Sequence, residues 1–131
     1  NGSATEALKF LQIWIIPNER NVEPRYDQVH MGNAERNVLH TVVGPQNSGM
    51  PLWIHQNAWF SLGSLGKDFS TEYKLKNNSN GVYAFVLEGS VMINGEVLNR
   101  RDGLEITETE ALQITSTADA KLLLVEVPMV L

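Results

Sequence analysis

Apolar residues in this chain come in short bursts separated by Gly, Pro, Asn and Asp, and no stretch holds the period of an amphipathic helix. The densest run is Gly81 to Ile106, GVYAFVLEGSVMINGEVLNRRDGLEI. Val82 to Leu87 is continuously β-branched, aromatic or aliphatic, Glu88-Gly89 interrupts it, and Ser90 to Leu98 folds back about Asn94-Gly95. Asn-Gly suits a two-residue type I′ turn, because both central residues of that turn need positive φ. The run therefore predicts a lead-in strand followed by a β-hairpin.

The same reading extends along the chain. Leu8 to Ile16, LKFLQIWII, predicts a strand stopped by Pro17, with Trp14 in a core or interface. Pro17 to Tyr26 predicts an irregular loop packed through Val22 and Tyr26, and Asp27 to Asn37 a turn or short helix. Val38 to Val43 is a strand closed by Gly44-Pro45, and Leu52 to Leu62 reads as two short strands about a turn or bulge at Gln56-Asn57. Phe69 to Leu75, Gly103 to Ile106, Ala111 to Thr115 and Leu122 to Val127 complete the set. Short strands joined by closely spaced turns predict an all-β antiparallel sandwich or barrel.

Composition narrows the functions open to such a fold. A chain of 131 residues with 43% hydrophobic residues suits one domain with a real core, and with no cysteine it forms no disulfide. The formal net charge of −5 argues against nucleic acid, whose binding needs clustered cations; Arg100-Arg101 is the one basic doublet and reads as a solvated loop pair. No apolar run approaches the roughly 20 residues that span a bilayer. Neither a basic leader nor an initiator Met precedes Glu6, so a soluble, cytoplasmic protein that starts inside a longer polypeptide is the expectation.

Two stretches carry a family resemblance. LQIWIIPNERNVEPRYDQ, Leu11 to Gln28, is similar to the segment joining the two barrels of pirin-like bicupins, matching at Trp14, Ile15, Pro17, Pro24 and Tyr26. Val38 to Pro128, with VLEGSVMINGEVLNRRDGLEI and the closing LLLVEVP, resembles the family's C-terminal cupin barrel. The resemblance implies a cupin-type, jelly-roll-like double-stranded β-helix over residues 29–131, preceded by a tail and joining segment over residues 1–28. It also implies a divalent metal, iron or similar, held by three His and one Glu in an N-terminal barrel that this chain lacks. That barrel is the implied partner, and an activity of the quercetin 2,3-dioxygenase type is implied for it.

Whether this barrel holds a metal of its own is tested against the general cupin pattern, in which His and Glu side chains on adjacent strands converge on one ion. Aligning Gly89 with the glycine closing the first motif puts Val82 at the Glu position and Lys76 with Asn78 at the paired His positions. Aligning Gly95 and Gly103 with the second motif puts Arg101 at its Pro and Ile106 at its His. No ligand type survives. His30, His40 and His55 lie in three separate segments without an H-x-H pair, and His55, near Trp53 and Trp59, reads as a strand or surface histidine. Glu105, Glu108 and Glu110 read as a solvated rim, Trp14, Trp53 and Trp59 as core in preference to lining a pocket for a flat ligand, and no Cys or G-x-S-x-G elbow offers a nucleophile.

The expectation is therefore a chain with no catalytic, cofactor-binding or metal residues of its own. It acts as a structural or partner-binding barrel, or else forms part of a metal-dependent dioxygenase centred elsewhere. Leu11 to Ile16, an apolar edge at the junction, is the expected surface for a homodimer.

Overall fold

The computed structural model describes residues 1–129. The domain expected over residues 29–131 thus reaches just past the described part. Among the described residues there is no helix, and ten strands run in chain order: β1 Leu39–Pro45, β2 Leu52–Ile54, β3 Trp59–Leu65, β4 Ser70–Lys74, β5 Asn80–Glu88, β6 Ser90–Ile93, β7 Glu96–Asn99, β8 Gly103–Ile106, β9 Ala111–Ser116 and β10 Ala120–Pro128. They form a six-stranded sheet ordered β2-β1-β3-β10-β5-β8 and a four-stranded sheet ordered β4-β9-β6-β7. The result is an all-β cupin fold.

Register explains which side chains meet inside. Glu126, Leu124 and Leu122 of β10 lie opposite Trp59, Ser61 and Gly63 of β3 and opposite Val82, Ala84 and Val86 of β5. Directly paired residues project to one face of a sheet. That face packs on Tyr73, Val91, Ile93, Leu98, Leu112 and Ile114 of the four-stranded sheet, forming the main core. Burying each such Leu, Ile or Val stabilises the fold by roughly 2 kcal/mol. The opposite face of the six-stranded sheet carries Val42, Phe60, Leu123 and Val125, with Ile15 and Met31 of the preceding segment laid against them.

The hairpin forms as the sequence predicts. Asn94 and Gly95 have φ of 49° and 91°, and β6 pairs with β7 from Ser90↔Asn99 to Ile93↔Glu96. Its lead-in strand lies in the other sheet, so Glu88-Gly89 is where the chain crosses between sheets. Gly89 sits at φ 76°, and a Cβ there would lie 1.9 Å from the carbonyl oxygen of Asp119.

Asp27 to Asn37 takes the turn of its two expected alternatives, with Gly32 and Asn37 at positive φ. Three expectations need correction. Leu8 to Ile16 forms no strand, because a strand exists only through a partner and this segment has none among the described residues. Pro45 continues β1 rather than ending it, and β1 pairs with β2 in parallel, from Val43↔Leu52 to Pro45↔Ile54. Tyr26 is exposed rather than packed, its hydroxyl donating to Gln28 Oε1 at 2.7 Å; Trp14, expected in a core or an interface, is 84% exposed, which leaves only the interface alternative.

Two alanine substitutions separate conformational strain from collision. Gly95→Ala meets no atom within 4 Å and is expected to cost about 1 kcal/mol for its positive φ alone. Gly89→Ala adds a backbone clash and is expected to cost about 3 kcal/mol. Urea unfolding of both variants measures the difference, and equal losses would contradict the crossing geometry.

Candidate functional site

The positions at which a metal cupin would place its ligands do come together. Val82 pairs with Ile106 on one side and with Glu126 on the other. Lys76 and Asn78 lie in the exposed connection between β4 and β5. The positions that meet are Val82 and Ile106, which offer a metal no lone pair, while Lys76 and Asn78 stay outside on the loop. Among the described residues, no group of three or more His, Cys, Asp or Glu is placed to hold an ion.

Glu126 is the residue that sequence reasoning missed. It is 0% exposed and faces the barrel interior, in phase with Leu122 and Leu124. Its Oε1 accepts the Lys76 backbone N–H at 2.7 Å, the Asn77 N–H at 3.3 Å and the Asn80 amide at 2.7 Å. Its Oε2 accepts the Tyr73 hydroxyl at 2.8 Å. A carboxylate out of water is tolerable only when donors replace its hydration, and here the loop after β4 supplies them. The signal was a lone charged residue at an inward position of an otherwise apolar strand.

The polar chain continues toward the gap between β1 and β4. Buried Ser61 shares a hydrogen bond with Thr41 at 2.9 Å and also reaches Tyr73. Burial, and then the charge of Glu126 beside it, push the Tyr73 phenol well above its ordinary range, only partly offset by Ser61. A cavity of about 400 Å³ opens there, walled by Leu39, Thr41, Tyr73, Lys74 and Lys76. Its inner hydroxyls are already engaged in the chain that ends on Glu126.

The histidines stay apart. His30 is exposed, His40 bonds the Glu35 carbonyl at 3.0 Å through Nε2, and His55 stands edge-on to Trp53 with ring centroids 5.0 Å apart. Trp53 is not core: it lines a groove of about 380 Å³ between β2 and the Pro17 to Asp27 segment. The Arg25 guanidinium lies 4.0 Å over its ring and donates to its carbonyl at 2.6 Å and to Asp27 at 3.0 Å. This contact clips the joining segment to the sheet edge. Trp59 is half-buried. Glu105, Glu108 and Glu110 are exposed, as a solvated rim requires.

Glu126→Ala strands four donors in a dry interior and is expected to lower stability by about 3 to 5 kcal/mol in urea titrations. The neighbouring phenol adds an alkaline signature. With its folded pKa raised, Tyr73 contributes stability that is intact below the ordinary phenol value of about 10 and declines as pH rises beyond it. Tyr73→Phe is expected to flatten that alkaline decline. An unchanged stability profile above pH 10 would contradict the buried pair.

Comparison with known proteins agrees with this architecture. The family model for the quercetinase C-terminal cupin domain matches residues 41–127. Quercetin 2,3-dioxygenase of Escherichia coli (strain K12) is 32% identical over 130 residues, covering 99% of this chain and 55% of that protein. A pirin-like protein of Caulobacter vibrioides is 28% identical over 123 residues, covering 92% of this chain and 53% of its own length. The chain thus spans about half the length of these relatives. Among solved structures, YhhW of Escherichia coli superposes with a TM-score of 0.78 at 29% identity, covering 88% of this chain and 48% of that one. The same bacterial pirin has been solved in complex with nickel(II), with a TM-score of 0.77 to this chain. The chain belongs to the quercetinase C-terminal cupin domain family, related to the pirins.

Proposed function

We propose that this chain is the metal-free, non-catalytic barrel of a longer pirin-like protein, a structural and partner-binding half rather than an enzyme by itself. One observation carries the reading. Val82 and Ile106 occupy the converging positions, and the carboxylate beside them, Glu126, is tied by four donors from Tyr73 and the loop to Asn80. A ligand must offer a free lone pair to an open coordination position. The divalent metal of the family, nickel in the Escherichia coli pirin, finds no such set here. A cytoplasmic location belongs to this reading, and the cysteine-free composition is compatible with it.

The surface presented to the companion barrel is the extended arm. Phe10, Trp14 and Ile16 point into solvent while Ile15 anchors the arm to the outer sheet face. Apolar side chains in such an extended, unpaired segment call for a covering partner. The preceding barrel of the parent is that partner, and without it two copies pair through Leu11 to Ile16.

A second reading has one observation in its favour: the relatives named quercetin 2,3-dioxygenase are about twice as long as this chain. In that reading the barrel forms a wall of a metal-dependent active site held by the other half.

Three measurements test these readings. Elemental analysis of the purified chain is expected to find no stoichiometric iron, copper, zinc or nickel. One bound equivalent that His55→Ala or Glu126→Gln abolishes would overturn the metal-free reading. Oxygen uptake with a flavonol is expected to be absent with this chain and present only with the two-barrel parent if the second reading holds. Light scattering at micromolar concentration is expected to give twice the chain mass of 14.6 kDa, with Trp14→Asp returning the single mass; a monomer throughout would reject pairing through the arm.

A further inference from the structure

On an acidic chain, half of the cations gather at one end of the β5–β10 pair. Lys121 bonds Glu88 at 3.1 Å, Lys9 stands 4.0 Å from the same carboxylate, and Arg36 bonds Asp119 at 2.6 Å. Arg101 lines a groove of about 350 Å³ with Lys9, Phe10, Leu11, Leu87, Glu88 and Lys121. A neighbouring groove of about 270 Å³ joins Arg36 and Asp119 to the same Glu88 and Lys121. Arg100 is close enough to act on Glu88, whose carboxyl is held below the usual range by Lys121 first and then by Lys9 and Arg100. Lys9, Arg36, Arg100, Arg101 and Lys121, five of the ten Lys and Arg, thus face two carboxylates, while the whole chain carries −5.

Arg101 adds an independent observation. It holds φ 74°, a left-handed backbone that disfavours a long side chain. Among the described non-glycine residues in this region, Asn21, Asn37, Asn47, Asp68 and Asn94 are the types that tolerate it; Arg101 and Glu108 are the exceptions. Its N–H bonds the Val86 carbonyl at 2.7 Å, a contact any residue could make. Fold alone would favour Asn or Gly there, so nothing in the turn itself calls for the guanidinium.

We propose that these two grooves dock an acidic peptide segment of a partner protein, with carboxylates against Arg101, Lys121, Lys9 and Arg36 and an apolar side chain over Leu87. Charge complementarity selects the occupant. Interleaved Glu88 and Asp119 suit separated carboxylates better than an unbroken phosphate run, and the acidic remainder of the chain repels a polyanion. The half-buried Leu87 supplies an apolar floor that a free anion would not use. The surface lies away from the converging positions at Val82 and Ile106, so it is independent of whether the barrel holds metal.

Fluorescence anisotropy with the 131-residue chain and a labelled peptide of alternating Asp and Glu about a central Phe tests the assignment. Micromolar binding that weakens with added salt is expected. Arg101→Asn, which keeps the left-handed turn, and Lys121→Gln are each expected to weaken it by about fivefold or more. Arg20→Gln, a cation outside both grooves, is expected to leave it unchanged. Circular dichroism confirms that each variant is folded. Absence of binding up to millimolar peptide, equal loss in Arg20→Gln, or tighter binding of a single-stranded oligonucleotide of matched charge would each overturn the proposal. Full displacement by inorganic phosphate at equal concentration would do the same.

Discussion

A single buried carboxylate constrains how the two sheets of this barrel meet. Glu126 leaves water on β10 of the six-stranded sheet, and its donors come from Tyr73 of the four-stranded sheet and from the connection that returns to β5. An ion in a dry interior is costly unless its lone pairs are filled, so β4, β10 and the Lys76 to Asn80 loop must be placed together. Ser116 does the corresponding work farther along. Its hydroxyl donates to the Gly66 and Phe69 carbonyls, holding the crossover from β3 to β4 against β9. Apolar contact supplies most of the stabilisation between these points, but it is non-directional. The polar ties fix which strand faces which.

Most of the strand layout was legible because it follows from local chemistry. Val82 to Leu87 and Leu122 to Val127 announce themselves by β-branched and apolar content, and Asn94-Gly95 by the φ values its turn demands. Elements that depend on something distant were not legible. Leu8 to Ile16 has the intrinsic properties of a strand and is none, since among the described residues no neighbouring strand meets it. The parallel pairing of β1 with β2 depends on Asn47 and Gly49 taking positive φ within the Gln46 to Pro51 loop. Glu126 was hidden for another reason: the donors that make it tolerable lie up to 53 residues away, and a charged residue in a strand reads as solvent-facing until they are seen.

The outer face of the six-stranded sheet shows the same division between local and distant causes. Val42, Phe60, Leu123 and Val125 form an apolar surface on strands otherwise paired correctly. Ile15 and Met31 cover part of it, and the Arg25 contact with Trp53 holds the covering segment down at the sheet edge. The joining segment is therefore a working layer of this barrel as well as a link to another. Ile15 on this segment faces the sheet and serves this chain, while Phe10, Trp14 and Ile16 are exposed to solvent.

Convergence and occupancy are separate properties of a barrel interior. The ladder Ile106, Val82, Glu126 would gather three side chains on one face whatever their chemistry, because pairing alone sets their spacing. A metal needs several of them to be donors. With one donor left among apolar neighbours, the surrounding N–H and O–H groups satisfy it more cheaply than an ion could, since they are already part of the chain and lose little further freedom. Glu126 then becomes a tie between sheets. A lone carboxylate in such an interior is not idle, because once its lone pairs are filled by Tyr73 and the Lys76 to Asn80 segment it fixes how the sheets meet.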